Sequence, residues 1–329
     1  MKISIANIHN ATNEEWDLIW RECNYSTYFH SREWAEIWNV YSKGKLNPGP
    51  KLISFSDGKK ALLPLSFQRS LKGLAKNYIS SPGGTFGGWI AKDELDVDHA
   101  VLLNGYLTKK CGNLIWRLNP YDELAFRAGV RISKDDETHT LNLSDGFDAI
   151  YNCWTKGHVS AARKARKEGV SIRLASSCDD WDLYYQVYED SIRRWGNKVS
   201  SRYSWELFQE MFRRNSPSIR LWLAEYQNTV VAGALCFYSK KHVVYWHGAA
   251  LEKYFNLRPV NLLMYETIKD ACECGYRWFD FNPSGGHEGV KSFKTSFGAV
   301  SMSSPVIHRT SKVMPLIKTV SKIAKKIMS

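Results

Sequence analysis

At 329 residues, with 44% hydrophobic and 24% charged side chains, the chain is long enough for two domains that each bury a core. Its charge is lopsided: 45 Lys and Arg against 33 Asp and Glu give +12, and eight of those excess charges follow Glu288. There Lys291, Lys294, Arg309, Lys312, Lys318, Lys322, Lys325 and Lys326 meet no acid. Such a region points to an anionic partner near the C-terminal end, or to a solvated basic face. Seven cysteines without regular spacing argue against a disulfide framework, and no apolar run reaches signal-peptide or membrane-span length, so a cytoplasmic protein is expected.

In chain order, Asn13-Glu14-Glu15-Trp16 opens a helix with Asn13 as its N-cap. Trp34, Ile37, Trp38 and Tyr41 recur at helical spacing in a second helix ending near Gly44. Lys51–Phe55 and Lys60–Phe67 read as a hairpin across Ser56-Asp57-Gly58, and Ser80–Gly88 as a glycine-rich loop that lets a ligand approach the main chain. Leu114–Leu118 and Thr138–Leu143 are strands around a helix near Tyr121–Gly129. The composition changes near Ser144, where helices over Phe147–Trp154 and Lys156–Gly169 follow, the second strongly basic. Ser171–Ala175 is a strand, Cys178–Arg194 and Trp205–Arg214 are helices, and Ile219–Tyr226, Val230–Tyr238 and His242–Ala249 form a meander. The helix Pro259–Gly275 and the strand Trp278–Asn282 complete the pattern.

This order predicts an α/β (α+β) chain with mixed, mainly antiparallel sheets flanked by helices. The first half repeats the rhythm weakly, which suggests tandem domains over 1–145 and 146–305, followed by a basic amphipathic helix over 306–329. In that tail Leu316, Ile317, Val320, Ile323, Ala324 and Ile327 alternate with Lys318, Lys322, Lys325 and Lys326. It suits either docking on the first domain or a peripheral contact with an anionic membrane.

Several segments together resemble the FemAB-like branch of the GNAT acyltransferase superfamily, the peptidoglycan-bridge aminoacyltransferases and relatives with a CelD-type acetyltransferase domain. They are the basic helix Ala161–Val170, Val231–Leu235, Tyr245–Ala249, Pro259–Leu263, Gly275–Asp280, Phe293-Lys294 and Phe297-Gly298. Phe29–Trp34 and Ser81–Gly84 resemble the N-terminal half of the same proteins. The resemblance implies tandem GNAT-like domains and transfer of an acyl or aminoacyl group to an amine of a cell-envelope or polysaccharide precursor. It also places the lysine of the Phe-Lys pair, here Lys294 beside Phe293, in the channel for acceptor and acyl donor. A cation there would stabilise the charge that builds on a carbonyl oxygen under attack. The plain alternative for Lys294 is a snorkelling surface lysine.

Other candidates read less sharply. Asp280 fits a general base for the incoming ammonium or a cap of the Gly285-Gly286 turn, the commoner use of such a residue. His247 is a proton acceptor by its ordinary pKa, or a packed ring beside Tyr245 and Trp246. Tyr245, Asn282, Glu288 and Lys291 are substrate-binding candidates, with Glu288 and Lys291 also able to pair with each other. On the basic helix Lys156, Arg163 and Arg166 are phosphate-binding candidates, the two arginines three apart on one face. A phosphorylated sugar precursor or a tRNA backbone would fit them.

The chain also departs from the family. Glu252–Arg258 holds no glycine where acetyl-CoA-dependent GNAT domains carry their pyrophosphate turn, so the acyl donor stays open between aminoacyl-tRNA, acyl-CoA and a carrier-bound acyl group. No permanently bound cofactor is expected. Cys272 and Cys274 lack a second pair at zinc spacing, and no P-loop or Rossmann glycine pattern precedes a helix. The competing class is a non-catalytic GNAT-like module that binds RNA or an anionic membrane surface. The 13 tryptophans sit mostly at core periodicity, which weakens its RNA form.

Overall fold

The computed structural model describes residues 2–70, 75–196 and 202–310. In the first part of the chain the elements are β1 (Ile5–Asn10), α1 (Asn13–Glu22), α2 (Arg32–Tyr41), β2 (Leu46–Pro48), β3 (Lys51–Phe55), β4 (Lys60–Leu63), β5 (Ser66–Ser70) and β6 (Ala75–Ile79). They continue with β7 (Phe86–Gly87), α3 (Val97–Lys110), β8 (Asn113–Leu118), α4 (Glu123–Arg127) and β9 (Glu137–Asn142). The second part holds α5 (Gly146–Asn152), α6 (Lys156–Lys167), β10 (Ser171–Leu174), α7 (Cys178–Trp195), α8 (Trp205–Arg213), β11 (Ile219–Tyr226), β12 (Thr229–Tyr238) and β13 (His242–Ala250). It ends with α9 (Pro259–Glu273), β14 (Trp278–Asp280), α10 (Glu288–Thr295), β15 (Val300–Ser303) and β16 (Val306–Arg309).

The expected α/β class is present as helix-flanked mixed sheets. A seven-stranded sheet in the order β10-β11-β12-β13-β14-β9-β15 is antiparallel except where β13 meets β14, and a six-stranded sheet runs β16-β8-β6-β5-β2 with β7 added beside β8. Two strands cross the divisions expected at 145/146 and 305/306. β9 lies in the second sheet between β14 and β15, and β16 pairs with β8 in the first. Residues 306–309, expected to begin the basic tail helix, are therefore strand; the tail from 311 onward lies outside the described residues. Among the described residues no helix is long and apolar enough to cross a membrane.

Local chemistry accounts for the element ends. Thr12, not Asn13, caps α1: its side chain accepts from Glu15 N while Glu15 returns a bond to Thr12 N, closing a capping box. The strand expected over Lys60–Phe67 stops at Leu63, before Pro64, and restarts as β5 in a different sheet. In place of the missing glycine turn, a 3-10 turn over Glu252–Leu257 leads to Arg258 in the left-handed region at φ +57°.

Hydrophobic packing joins the parts. One face of the large sheet is covered by α5, α6, α9 and α10, with Trp154, Leu263, Met264, Phe279, Phe281 and Phe297 in its core. The other face packs α7 and α8 and also receives Tyr28, Phe29, Trp34, Ile37 and Phe86 from the first part of the chain. Tyr28 stacks on Phe237 at 4.7 Å between centroids, and Trp34 sits edge-on to Phe237 and Trp246.

In β13 the ladder slips once: Leu235 faces His247 and Cys236 faces Tyr245, leaving Trp246 as the extra residue of a β-bulge. Strict alternation would put Trp246 and His247 on opposite faces. The bulge turns both toward α7, where His247 meets the rings of Tyr184 and Tyr188.

Tyr184 is placed by a close approach to Gly233, where a Cβ would lie 2.4 Å from Tyr184 Cδ2. Gly233→Ala is expected to cost about 1–3 kcal/mol through overpacking, seen as a lower melting temperature. Unchanged melting would show that the ring yields without strain.

Candidate active site

β13 and β14 are parallel neighbours for three residue pairs only, His242–Trp278, Val243–Phe279 and Val244–Asp280. Beyond them β14 ends and its chain turns away through Asn282, at φ +60°, into Pro283–Gly286 and α10. From Tyr245 onward the outer edge of β13 has no strand partner among the described residues.

A cleft of about 570 Å³ lies at this parting. Its walls are Tyr188, Ile192 and Trp195 of α7, Trp246 and His247 of β13, the segment Asn282–Gly285, and His287, Gly289 and Val290 at the start of α10, with Tyr203. The first part of the chain closes it with Gly83, Gly84 and Arg117. Gly83 and Gly84 have φ of +72° and +69°, which the Ser80–Gly88 loop needs to turn past Trp38. Arg117 fixes that loop: Nε donates to the Gly84 carbonyl at 2.7 Å, Nη1 to the Ser304 carbonyl, and Nη2 pairs with Asp136 at 3.0 Å. The volume suits a small-molecule site.

The sequence candidates divide around this cleft. His247 lines it, and its Nδ1 lies 2.6 Å from the Tyr184 hydroxyl; burial takes its pKa down to about 4. Asn282 also lines it. Lys294 is only 3% exposed, so it is not a surface lysine; it stands directly behind the wall, donating to the Asn282 carbonyl and, at 2.8 Å, to Ser284 Oγ. Burial pushes its pKa down to about 8, against the pull of Asp280 and Asp136.

Asp280 is fully buried and accepts from Tyr121 Oη at 2.8 Å, from Thr138 Oγ1, and from Asn282 N at 2.6 Å. It therefore fastens the turn at Asn282 rather than at Gly285-Gly286, and it does not line the cleft as a general base would. Burial raises its pKa to about 6, opposed by those hydrogen bonds.

The remaining candidates are elsewhere. Tyr245 points to the opposite face of the sheet, its ring against Phe281 and its hydroxyl over Gly248, because it precedes the bulge. Lys291 bridges Glu288 at 3.2 Å and Glu137 at 3.1 Å, away from the cleft. Phe293 packs edge-on to His158 and Phe297. Lys156 and Arg163 line a separate shallow hollow with Tyr151, Trp154 and Ser160. Arg166 leaves the face expected for it: it pairs with Glu266 at 2.6 Å and stacks on Tyr265, so the two arginines do not form one phosphate fork.

Sequence reasoning missed Arg117, Tyr121, Tyr184, Tyr188, Trp195 and Ser284. Only Gly83-Gly84 carried a local signal, the run of glycines. The others sit on ordinary strands, helices and turns, and gain their place from contacts across the chain.

Residues 157–295 match the family model of the acetyltransferase (GNAT) domain. No curated protein matches the chain in sequence. In fold, the chain is similar to the crystal structure of FemX, with a TM-score of 0.72 at 13% identity over 95% of this chain and 99% of that one. It is also similar to L-PGS from Bacillus licheniformis, with a TM-score of 0.56 at 13% identity over 95% and 97%. The C-terminal domain of a putative lysylphosphatidylglycerol synthetase from Agrobacterium fabrum gives a TM-score of 0.52 at 12% identity over 79% and 85%. Residues 157–295 thus carry a GNAT acetyltransferase-type domain, and the chain as a whole shares its fold with FemX.

Asp280 has a folded pKa above its ordinary value of 3.8, so its ionisation opposes folding, and its contribution to stability declines as pH rises from about 4 to about 6. Asp280→Asn removes that titration. Between those pH values the native chain should lose stability relative to the variant, measured as the difference in melting temperature; a constant difference would contradict the assignment.

Proposed function

We propose that the chain is an N-acyltransferase moving an acyl or aminoacyl group onto an amine of a cell-envelope or polysaccharide precursor. The observation that carries this reading is the cleft at the parting of β13 and β14, walled by both parts of the chain and backed by a buried lysine. Attack of an amine on an ester or thioester places negative charge on the carbonyl oxygen, and donors held in a partly dry cleft stabilise it. Lys294 acts through the wall. Because Ser284 Oγ accepts from the ammonium, the serine keeps its own O–H for the cleft, polarised by the charge behind it.

The donor is proposed from the same three kinds as the sequence suggests: aminoacyl-tRNA, acyl-CoA or a carrier-bound acyl group. The 3-10 turn over Glu252–Leu257 in place of a glycine turn favours the first and third. One of the similar folds is named as a putative lysylphosphatidylglycerol synthetase, which supports an aminoacyl donor and an envelope-related acceptor. Lys156 and Arg163 are proposed to meet phosphates of the precursor or of tRNA, and the basic tail an anionic membrane surface on the cytoplasmic side.

Mass spectrometry of envelope precursors from cells with the native chain and with Lys294→Met tests this reading. The expected result is a precursor heavier by one acyl or aminoacyl group in native cells only; identical masses would sink it in favour of a binding module. In the purified reaction Lys294→Met should lower kcat more than it raises KM, because the charge acts in the transition state. Lys294 has a depressed pKa, so its ammonium is lost as pH rises through about 8, and kcat/KM should acquire a falling limb there. Lys294→Arg stays charged and should move that limb upward while recovering only part of the rate. An identical limb in native chain and variant would detach it from Lys294.

A further inference from the structure

We propose that His247 serves the cleft as a neutral hydrogen-bond donor, its Nε2–H meeting the carbonyl oxygen of the transferred acyl group, with Tyr184 as the positioning residue that fixes the tautomer. This rests on the acyl-transfer reading and assigns the ring a role opposite to that of a proton acceptor.

The argument begins with one hydrogen. The Tyr184 phenol has a single O–H and two acceptors in reach, His247 Nδ1 at 2.6 Å and the His247 carbonyl at 3.4 Å. The short contact takes the hydrogen, since a hydrogen bond at 3.4 Å is near the limit of a useful one. Nδ1 is then an acceptor, and a neutral imidazole must carry its one hydrogen on Nε2. Nε2 has no partner among the described residues, and the ring lines the cleft. Tyr184 cannot easily move aside, because its ring is wedged against Gly233 and it is fully buried.

The surroundings keep the ring uncharged. Tyr184 and Tyr188 face it from α7, Phe208 from α8 and Trp246 from its own strand. Among the described residues no carboxylate or cation perturbs it, and burial alone lowers its pKa to about 4. A ring that already bears its proton on Nε2 and gains a second, on Nδ1, only near that pH cannot draw a proton from an ammonium at neutral pH. It can donate.

In acyl transfer the amine lone pair forms the new N–C bond while the carbonyl π pair moves onto oxygen. Re-forming the carbonyl expels the alkoxide or thiolate, which takes up the proton the nitrogen gives away. His247 keeps its own proton throughout and lowers the energy of the oxygen while it carries charge.

Nuclear magnetic resonance of the full chain with 15N-labelled histidine tests the tautomer. The expected pattern has the proton on Nε2 of His247 and no titration between pH 5 and pH 8. Tyr184→Phe, which removes only the hydroxyl, should restore a mixture of tautomers while the burial that remains keeps the ring from titrating in that range. A proton on Nδ1 in the native chain, or a midpoint above about 6, overturns the proposal. In the acyl-transfer reaction His247→Ala should lower kcat by about 10²-fold, the usual loss for one such donor, with a smaller change in KM. His247→Gln, which offers an amide N–H, should retain more of the rate. An active native chain whose kcat survives His247→Ala overturns this role and leaves the acyl-transfer reading standing. A native chain that transfers no acyl group removes both.

Discussion

Two parallel strands that stay together for only three residue pairs set the form of this protein. A buried strand edge left without a partner is costly, because its N–H and C=O groups lose water without gaining a bond. Beyond those three pairs the gap between β13 and β14 is bordered by the chain that follows β14. The segment after Asp280 turns at Asn282, α10 comes back across the opening, and Lys294 reaches from α10 to hold the turn by its carbonyl and by Ser284. What remains of the gap is the cleft, walled by that segment together with α7, β13 and the Gly83-Gly84 loop.

The same constraint explains why a single GNAT-type domain is not the structural unit here. The family match covers 157–295, yet the strand that flanks β14 on its far side is β9, from residues 137–142, and Thr138 on it holds Asp280. Tyr121, further back, supplies the other side-chain donor to that carboxylate and packs on His242 and Trp278. In return β16 crosses into the first sheet, and Arg117 ties the Gly83-Gly84 loop to the carbonyl of Ser304. With strands exchanged in both directions and an aromatic seam between them, the two parts of the chain shape the cleft together.

Charge is distributed around the cleft with a consistent logic. One wall is backed by a buried ammonium and a buried carboxylate, each displaced by burial toward its neutral form, Lys294 to about 8 and Asp280 to about 6. Such a pair gives up stability through desolvation and is held by its hydrogen bonds. The opposite wall carries a histidine that burial keeps neutral among aromatic rings. Buried charge stands behind one wall, while Arg117, held by Asp136, and the neutral His247 stand at the space itself.

Much of the second half was legible in the sequence, because helix and strand periodicity is local: the meander, α7, α9 and the turn after Asp280 all stand within a few residues of their expected places. So was the glycine-rich loop, since only glycine runs freely adopt left-handed turns. The single-residue contest at Thr12 against Asn13 and the break at Pro64 were decided by neighbouring groups that a pattern does not weigh. The candidate site was legible only in part. Lys294, Asp280, His247 and Asn282 stood out as polar residues where a strand leaves the sheet. The direction each one faces came from elsewhere: a bulge one residue long separates Tyr245 from His247, and an ion pair to Glu266, a hundred positions away, removes Arg166 from Arg163. Residue type and spacing determined which elements form and which polar groups stand out as candidates. Pairing between distant strands decided which of those groups meet, because register and strand exchange are set by contacts that no local window contains.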